Sequence, residues 1–325
     1  MIDGSSGLRA AGSLAQSRGF ALLGELFGAG LTPGARAAWG QVPEAAGLVS
    51  ALSDEAAAEA YTRACQLEMA PYESAFCSAD GLLGGECVDA VRALRLRCGL
   101  PNEGEVDHLG EELRWLAFLT GASADAARDG VPAEHILELE RQVLDQHVLR
   151  WLPALVASLR AQANAPALWV LAADLGLALA VDRRVALGGE PPAWALPVAI
   201  SVLDDERAGL RRIAEHLALP VQAGGMLCRS TLVGIGRTLD LPAGFGARAD
   251  LLEGLFRSAA HYGRVSSLCE ALEQQLSGWE RSWRTLDGAG LGLLSAPWHA
   301  RIAATRGLLR RLAAPTTTPP PPTTS

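Results

Sequence analysis

"EVDHLGEELRWLAFL", Glu105–Leu119, is the stretch whose reading decides the fold. Leu109, Leu113, Leu116 and Thr120 repeat on one stripe, and His108, Glu112, Trp115 and Leu119 on the next. Spacings of three and four residues put both stripes on one side of a helix, whereas a half-buried strand would alternate every second residue. Asp107 stands where an N-cap is expected, and Glu111 and Glu112 follow near the positive end of the helix dipole.

The same period extends in both directions. Helices are expected over Leu14–Ala29, from Ser53 to Leu67 and over Glu86–Cys98, the last stopped by Gly99-Leu100-Pro101. "GAGLTPG" ends the first of these, and Pro71 interrupts "MAPYESAF" because the residue before proline avoids the helical region. Further helices fit Ala133–Ala163, Ala165–Leu187, Pro192–Leu217, Ser230–Leu239, Ala247–Tyr262, Ser266–Leu286 and Pro297–Ala313. Strand alternation does not persist anywhere, so the fold class expected is all-α. Residues 1–14, rich in Gly, Ser and Ala, read as a flexible N-terminus, and "PTTTPPPPTTS" (315–325) as an extended, disordered Thr/Pro tail.

Composition narrows the function. The 325 residues are 49% hydrophobic, ample for a large core. All 28 basic residues are Arg, against 36 acids, for a net charge of −8. Such a surface repels phosphate backbones, so nucleic acid is not an expected partner, whereas a cationic peptide is suited to it. The six cysteines form no C-x-x-C and stand beside no His at zinc-ligand spacing, so they read as reduced, buried small hydrophobes; no metal and no cofactor is expected. The first 20 residues lack a continuous apolar run, and Ala165–Val181 is too short and too charged at Asp174 to span a bilayer. A cytoplasmic protein without stable membrane insertion is expected.

Catalytic signatures are missing: no H-E-x-x-H, no G-x-S-x-G, no phosphate loop. Gly234-Ile-Gly236 lacks a third glycine and a preceding strand. Arg183-Arg184 reads as a solvated helix end near the negative pole. Asp107-His108 has two readings. One is an accessible imidazole tuned by Glu112 one turn later; the other is a cap followed by a loop-anchoring histidine.

Five stretches in order, "AYTRAC" (Ala60–Cys65), "APYESAF" (Ala70–Phe76), "LLGGE" (Leu82–Glu86), "DHLGEEL" (Asp107–Leu113) and "HVLRW" (His147–Trp151), resemble the TorD/DmsD/NarJ-type chaperones of molybdoenzyme maturation. The resemblance implies a TorD-like helical chaperone domain over 15–187, leaving 188–314 as a helical extension of unknown role. It departs from the family's pattern in "GEVDH", which has no proline before Asp-His, and in Arg63-Ala64-Cys65, which stands for Arg-Leu-Phe. It implies a non-enzymatic chaperone that binds the twin-arginine signal peptide or the body of an apo molybdopterin oxidoreductase catalytic subunit, holding it for cofactor insertion before export or assembly. Asp107 and His108 would then face a client cleft walled by Tyr61, Pro71, Tyr72 and Phe76, with Gly85 allowing close backbone approach. Glu73, Ser74, Glu112, His147 and Trp151 would support it. Tyr61 and Phe76 equally suit a core, Gly85 a turn, and His147 with Trp151 an i,i+4 packing pair. Two other functions remain open: a nucleotide-binding or nucleotide-hydrolysing enzyme using Asp107 and His108, and a helical scaffold acting through the extension.

Overall fold

The computed structural model describes residues 4–162, 164–198, 202, 209–242 and 244–314, and among them the regular structure is helical throughout. Helix α1 (Gly4–Ala29) and helix α7 (Leu109–Asp129) form the most extensive helix pair. Small residues allow it. A Cβ on Gly110 would stand 2.8 Å from the Gly28 backbone, and one on Gly24 3.0 Å from the Gly110 carbonyl. Ser17 Oγ completes the seam by donating to the Ala117 carbonyl at 2.7 Å. Helix α1 therefore starts ten residues ahead of the boundary expected from composition: Ser13 and Gln16 accept hydrogen bonds from Arg183, a tertiary contact that Gly/Ser content does not reveal.

Two short helices went unread in the sequence, α2 (Pro33–Trp39) and α3 (Pro43–Ser50). Each opens on a proline, whose fixed φ and missing N–H suit the first helical position, so "LTPG" starts a helix as well as ending one. Next come α4 (Asp54–Tyr61), capped by Ser53 and prolonged by a π-helical stretch (Thr62–Glu68), then α5 (Glu73–Cys77) and α6 (Gly85–Arg97).

The single helix expected over Ala133–Ala163 is α8 (Glu134–Val143), a π-helical stretch (Leu144–Val148) and α9 (Leu149–Ala161) in continuous succession. From Trp151 to Leu159 every residue of α9 is buried. Nine consecutive buried positions occupy every side of a helix and need cover all round, and α9 receives it from α5 and α10 (Ala167–Leu187) and from two helices of the last third. Arg183 and Arg184 on α10 are not a solvated helix end. Both are buried, Arg183 bidentate on Glu140 at 2.7 and 2.6 Å and Arg184 on Asp145 at 2.6 Å. A buried guanidinium demands such a partner.

Beyond residue 188, the described part of the helix expected over Pro192–Leu217 is helical as α11 (Leu210–Ala218) and not over 192–198. Pro191, Pro192 and Pro197 remove the donors it would need. Then follow α12 (Pro220–Ala223), α13 (Arg229–Thr238), α14 (Arg248–His261), α15 (Val265–Gly288) and α16 (Gly292–Ala313). Trp283 and Trp298 stack at 5.1 Å between α15 and α16, and Trp298 Nε1 donates to the Arg150 carbonyl of α9 at 2.8 Å. One apolar cluster thus runs from Phe20 to Leu309, across residue 188. The expected Thr/Pro tail, 315–325, lies outside the described residues.

Candidate functional site

Between α6 and α7 the chain returns to the turn that precedes α5. Tyr72 and His108 form an isolated antiparallel bridge, Leu109 N donates to the Pro71 carbonyl at 2.8 Å, and Glu73 N to the Asp107 carbonyl at 2.9 Å. Extended backbone sends successive side chains to opposite sides. Asp107 points inward: its Oδ2 accepts from Ser74 N at 3.1 Å and from Ser74 Oγ at 2.5 Å, and the residue is 5% exposed. Asp107 is therefore not the cap of α7. That place belongs to His108, whose Nδ1 accepts from Gly110 N at 3.1 Å. The aspartate instead holds the first turn of α5, reaching across 33 residues of sequence.

His108 turns the other way, into a cavity of about 380 Å³ that Tyr61, Tyr72, Gln66, Glu105, Glu111 and Arg114 also line. The Tyr72 and His108 rings meet edge to face at 4.9 Å. Tyr72 donates its hydroxyl to Glu105, and burial together with that carboxylate raises the phenol above its ordinary range. Tyr61 donates to the Gly28 carbonyl at 3.1 Å, and burial raises it too. Arg114 is ion-paired with Glu111 at the rim. Burial lowers the His108 pKa despite nearby carboxylates, so the imidazole is neutral and Nδ1 stays free to accept. The expectation of an accessible imidazole is corrected accordingly: His108 is only 8% exposed, because it caps a buried helix start.

The single cleft expected from sequence divides. Tyr61, Tyr72 and His108 share the cavity just described. Phe76 is fully buried, its ring 5.2 Å from Trp151, and belongs to the core. Pro71 is buried and contributes its carbonyl to Leu109. Gly85, at φ +69°, opens on a separate cavity of about 950 Å³ with Leu82, Leu83, Arg150 and Leu196. Glu105, Glu111 and Arg114 escaped notice as site residues; Glu105 stands three residues before His108, but only the return of the loop onto Tyr72 gives it a role.

The residues expected to support the cleft line no part of the His108 cavity and form a buried polar network. Glu73 meets His147 Nδ1 at 2.8 Å, Arg150 at 3.6 Å and the Cys87 thiol at 3.5 Å. Burial alone would raise its carboxyl, but the His147 charge and hydrogen bond outweigh that and hold it below the usual carboxylate range. Trp151 Nε1 donates to Glu112 Oε2 at 3.1 Å. Burial, reinforced by the charge of Glu73, raises Glu112 far above its ordinary pKa and keeps it protonated. His147 and Trp151 are thus joined through two carboxyls on other helices, beyond the i,i+4 contact expected.

Residues 29–157 match the nitrate reductase delta subunit family. All five stretches that carry the TorD/NarJ-type resemblance lie inside this delta-type region, as do all but Gly28 of the residues lining the His108 cavity. The delta-type region ends within α9 and leaves out nearly all of α1, all of α10 and the last third. No curated protein and no solved structure gives a match.

Proposed function

We propose that the protein is a maturation chaperone for the catalytic subunit of a molybdopterin oxidoreductase, working in the cytoplasm, and that a basic signal peptide of the twin-arginine type docks at the His108 cavity. What supports this is the delta-type match together with one observation, the convergence of Tyr61, Tyr72 and the Glu105 carboxylate on one opening. Two aromatic rings beside a carboxylate suit a guanidinium, which takes a cation–π contact and a charge-assisted hydrogen bond at once. Glu105 and Glu111 outnumber Arg114 around the opening, which favours the approach of a cationic peptide. In this reading Tyr72, Glu105 and His108 touch the peptide and Asp107 positions them. Against the enzyme reading stand the hydrogen bonds that already engage both members of the Asp107–His108 pair.

The test is calorimetric titration with a synthetic peptide carrying two arginines ahead of an apolar segment. Glu105→Gln and Tyr72→Phe, both at the cavity rim, are expected to weaken binding about ten-fold, the worth of one charged or hydrogen-bonding contact, with melting temperature unchanged. Peptide binding unaffected by either variant, or no binding by the wild type, rejects this site.

A further inference from the structure

Arg248 presents an unusual arrangement. It opens α14, and Arg229 opens α13, so two guanidiniums stand at helix N-termini, where the dipole favours anions over cations. Among the described residues neither pairs with a carboxylate. Arg229 is exposed and donates to the Gly246 carbonyl, but Arg248 Nη1 is buried with no hydrogen-bond partner, and burial lowers the Arg248 pKa. A buried guanidinium nitrogen without an acceptor is costly, even where, as at Arg248, the side chain is partly exposed. Arg248 also lines a cavity.

That cavity, about 310 Å³, lies between the delta-type region and the last third of the chain. Leu67, Met69 and Leu83 wall it from one side and Met226 from the other, with Arg229 and Arg248 at the second wall. Glu68 also lines it, but its carboxylate is engaged by Ser230 N at 2.9 Å at the start of α13. The volume is at the small end of ligand sites, and the lining pairs an apolar body with a cationic anchor.

We propose that this cavity binds a small amphipathic anion, a carboxylate on a short hydrocarbon body, with the head on Arg248 and Arg229 and the chain against Leu67, Met69, Leu83 and Met226. The ligand bridges the delta-type region and the extension, and its binding is independent of the His108 cavity and of any client.

The test uses the full chain and three probes: octanoate, octanol and inorganic phosphate. Isothermal titration is expected to give saturable one-site binding of octanoate, much weaker binding of phosphate and none of octanol. Arg248→Gln is expected to weaken octanoate at least ten-fold, and Arg229→Gln, an exposed and structurally milder change, several-fold, while the signal peptide still binds. No saturable octanoate binding by the wild type overturns the proposal, whatever the variants do. So does equal binding of octanol, which removes the role of the charge, or phosphate binding without octanoate, which removes that of the apolar wall. Octanoate affinity unchanged in both variants moves the ligand elsewhere and overturns it as well.

Discussion

His108 caps α7 only while Nδ1 is unprotonated, and this ties stability to pH. Burial lowers its folded pKa, so on acidification the unfolded chain takes up a proton near pH 6.5 and the folded chain only at lower pH. Stability present above that window is lost as pH falls into it. His216, pushed down to about 4 by burial and then by Arg301, acts in the same direction. Thermal melts between pH 7 and pH 5 should show the wild type losing stability, as pH falls, relative to variants that lack these two imidazoles. His108→Asn keeps a capping acceptor and should flatten part of that slope, and His216→Gln a further part; an unchanged slope in His108→Asn would remove the imidazole from the account. Glu112 has the opposite sign. Its folded pKa is raised, so the folded state favours the proton that the unfolded chain releases above about pH 4.5. Glu112→Gln, which mimics the protonated form, should leave the protein as stable or more stable at pH 7, with the gain vanishing below pH 4. A large loss at pH 7 would mean that Glu112 is ionised. Neither behaviour could be read from sequence: "DHLGEEL" announces a helix start, but only the return of the loop onto Pro71 and Tyr72 decides that His108 caps it while Asp107 turns to Ser74.

Among elements, the α1–α7 pair depends on its glycines. Gly110→Ala sets a methyl 2.8 Å from the Gly28 backbone, which has no side chain that can move aside. Overpacking of this kind costs about 2 kcal/mol, which in a chain of 325 residues lowers the melting temperature by roughly 3 °C. Gly47→Ala, whose new methyl meets nothing within 4 Å inside α3, is the control and should melt at or slightly above wild type. A Gly110→Ala protein that also melts normally would show that the helices can separate at no cost. Helix identity was legible wherever an apolar stripe ran long enough, as in α7, α10 and α15. It failed at α2 and α3, where turn chemistry masks a short helix, and over 192–198, where prolines remove the donors that a helix needs. The cavity was legible in part: Tyr61, Tyr72 and His108 lie in quoted stretches, whereas Phe76 and Gly85 went elsewhere because sequence order does not fix which side of a loop a residue faces.

At the scale of the molecule, the last third completes the core that the delta-type region begins. Helix α15 lies on α9, α12 on α5, and Ser158 and Thr231 make hydrogen bonds across the junction, to the Met226 and Ala161 carbonyls respectively. A chain cut after residue 187 should therefore expose the α15-facing side of α9. Exposed apolar patches of that kind bind hydrophobic dyes and drive association. Gel filtration with dye fluorescence should find the truncated chain aggregated or strongly dye-binding, and a monomeric, dye-silent product would show that the first 187 residues stand alone.

Trp298 and the Arg150 carbonyl that accepts its hydrogen bond are 148 residues apart. Synthesis delivers α9 to the ribosome exit long before α15 and α16 exist, and a chain elongating at about 5–20 residues per second leaves that helix waiting for several seconds or more. During that interval α9, every residue of which from Trp151 to Leu159 is buried in the finished fold, stands bare on one side. Closure must come through contacts distant in sequence, the slowest kind to form. The nascent chain thus has its own need of shelter, and it is greatest between the emergence of Leu159 and that of Trp298.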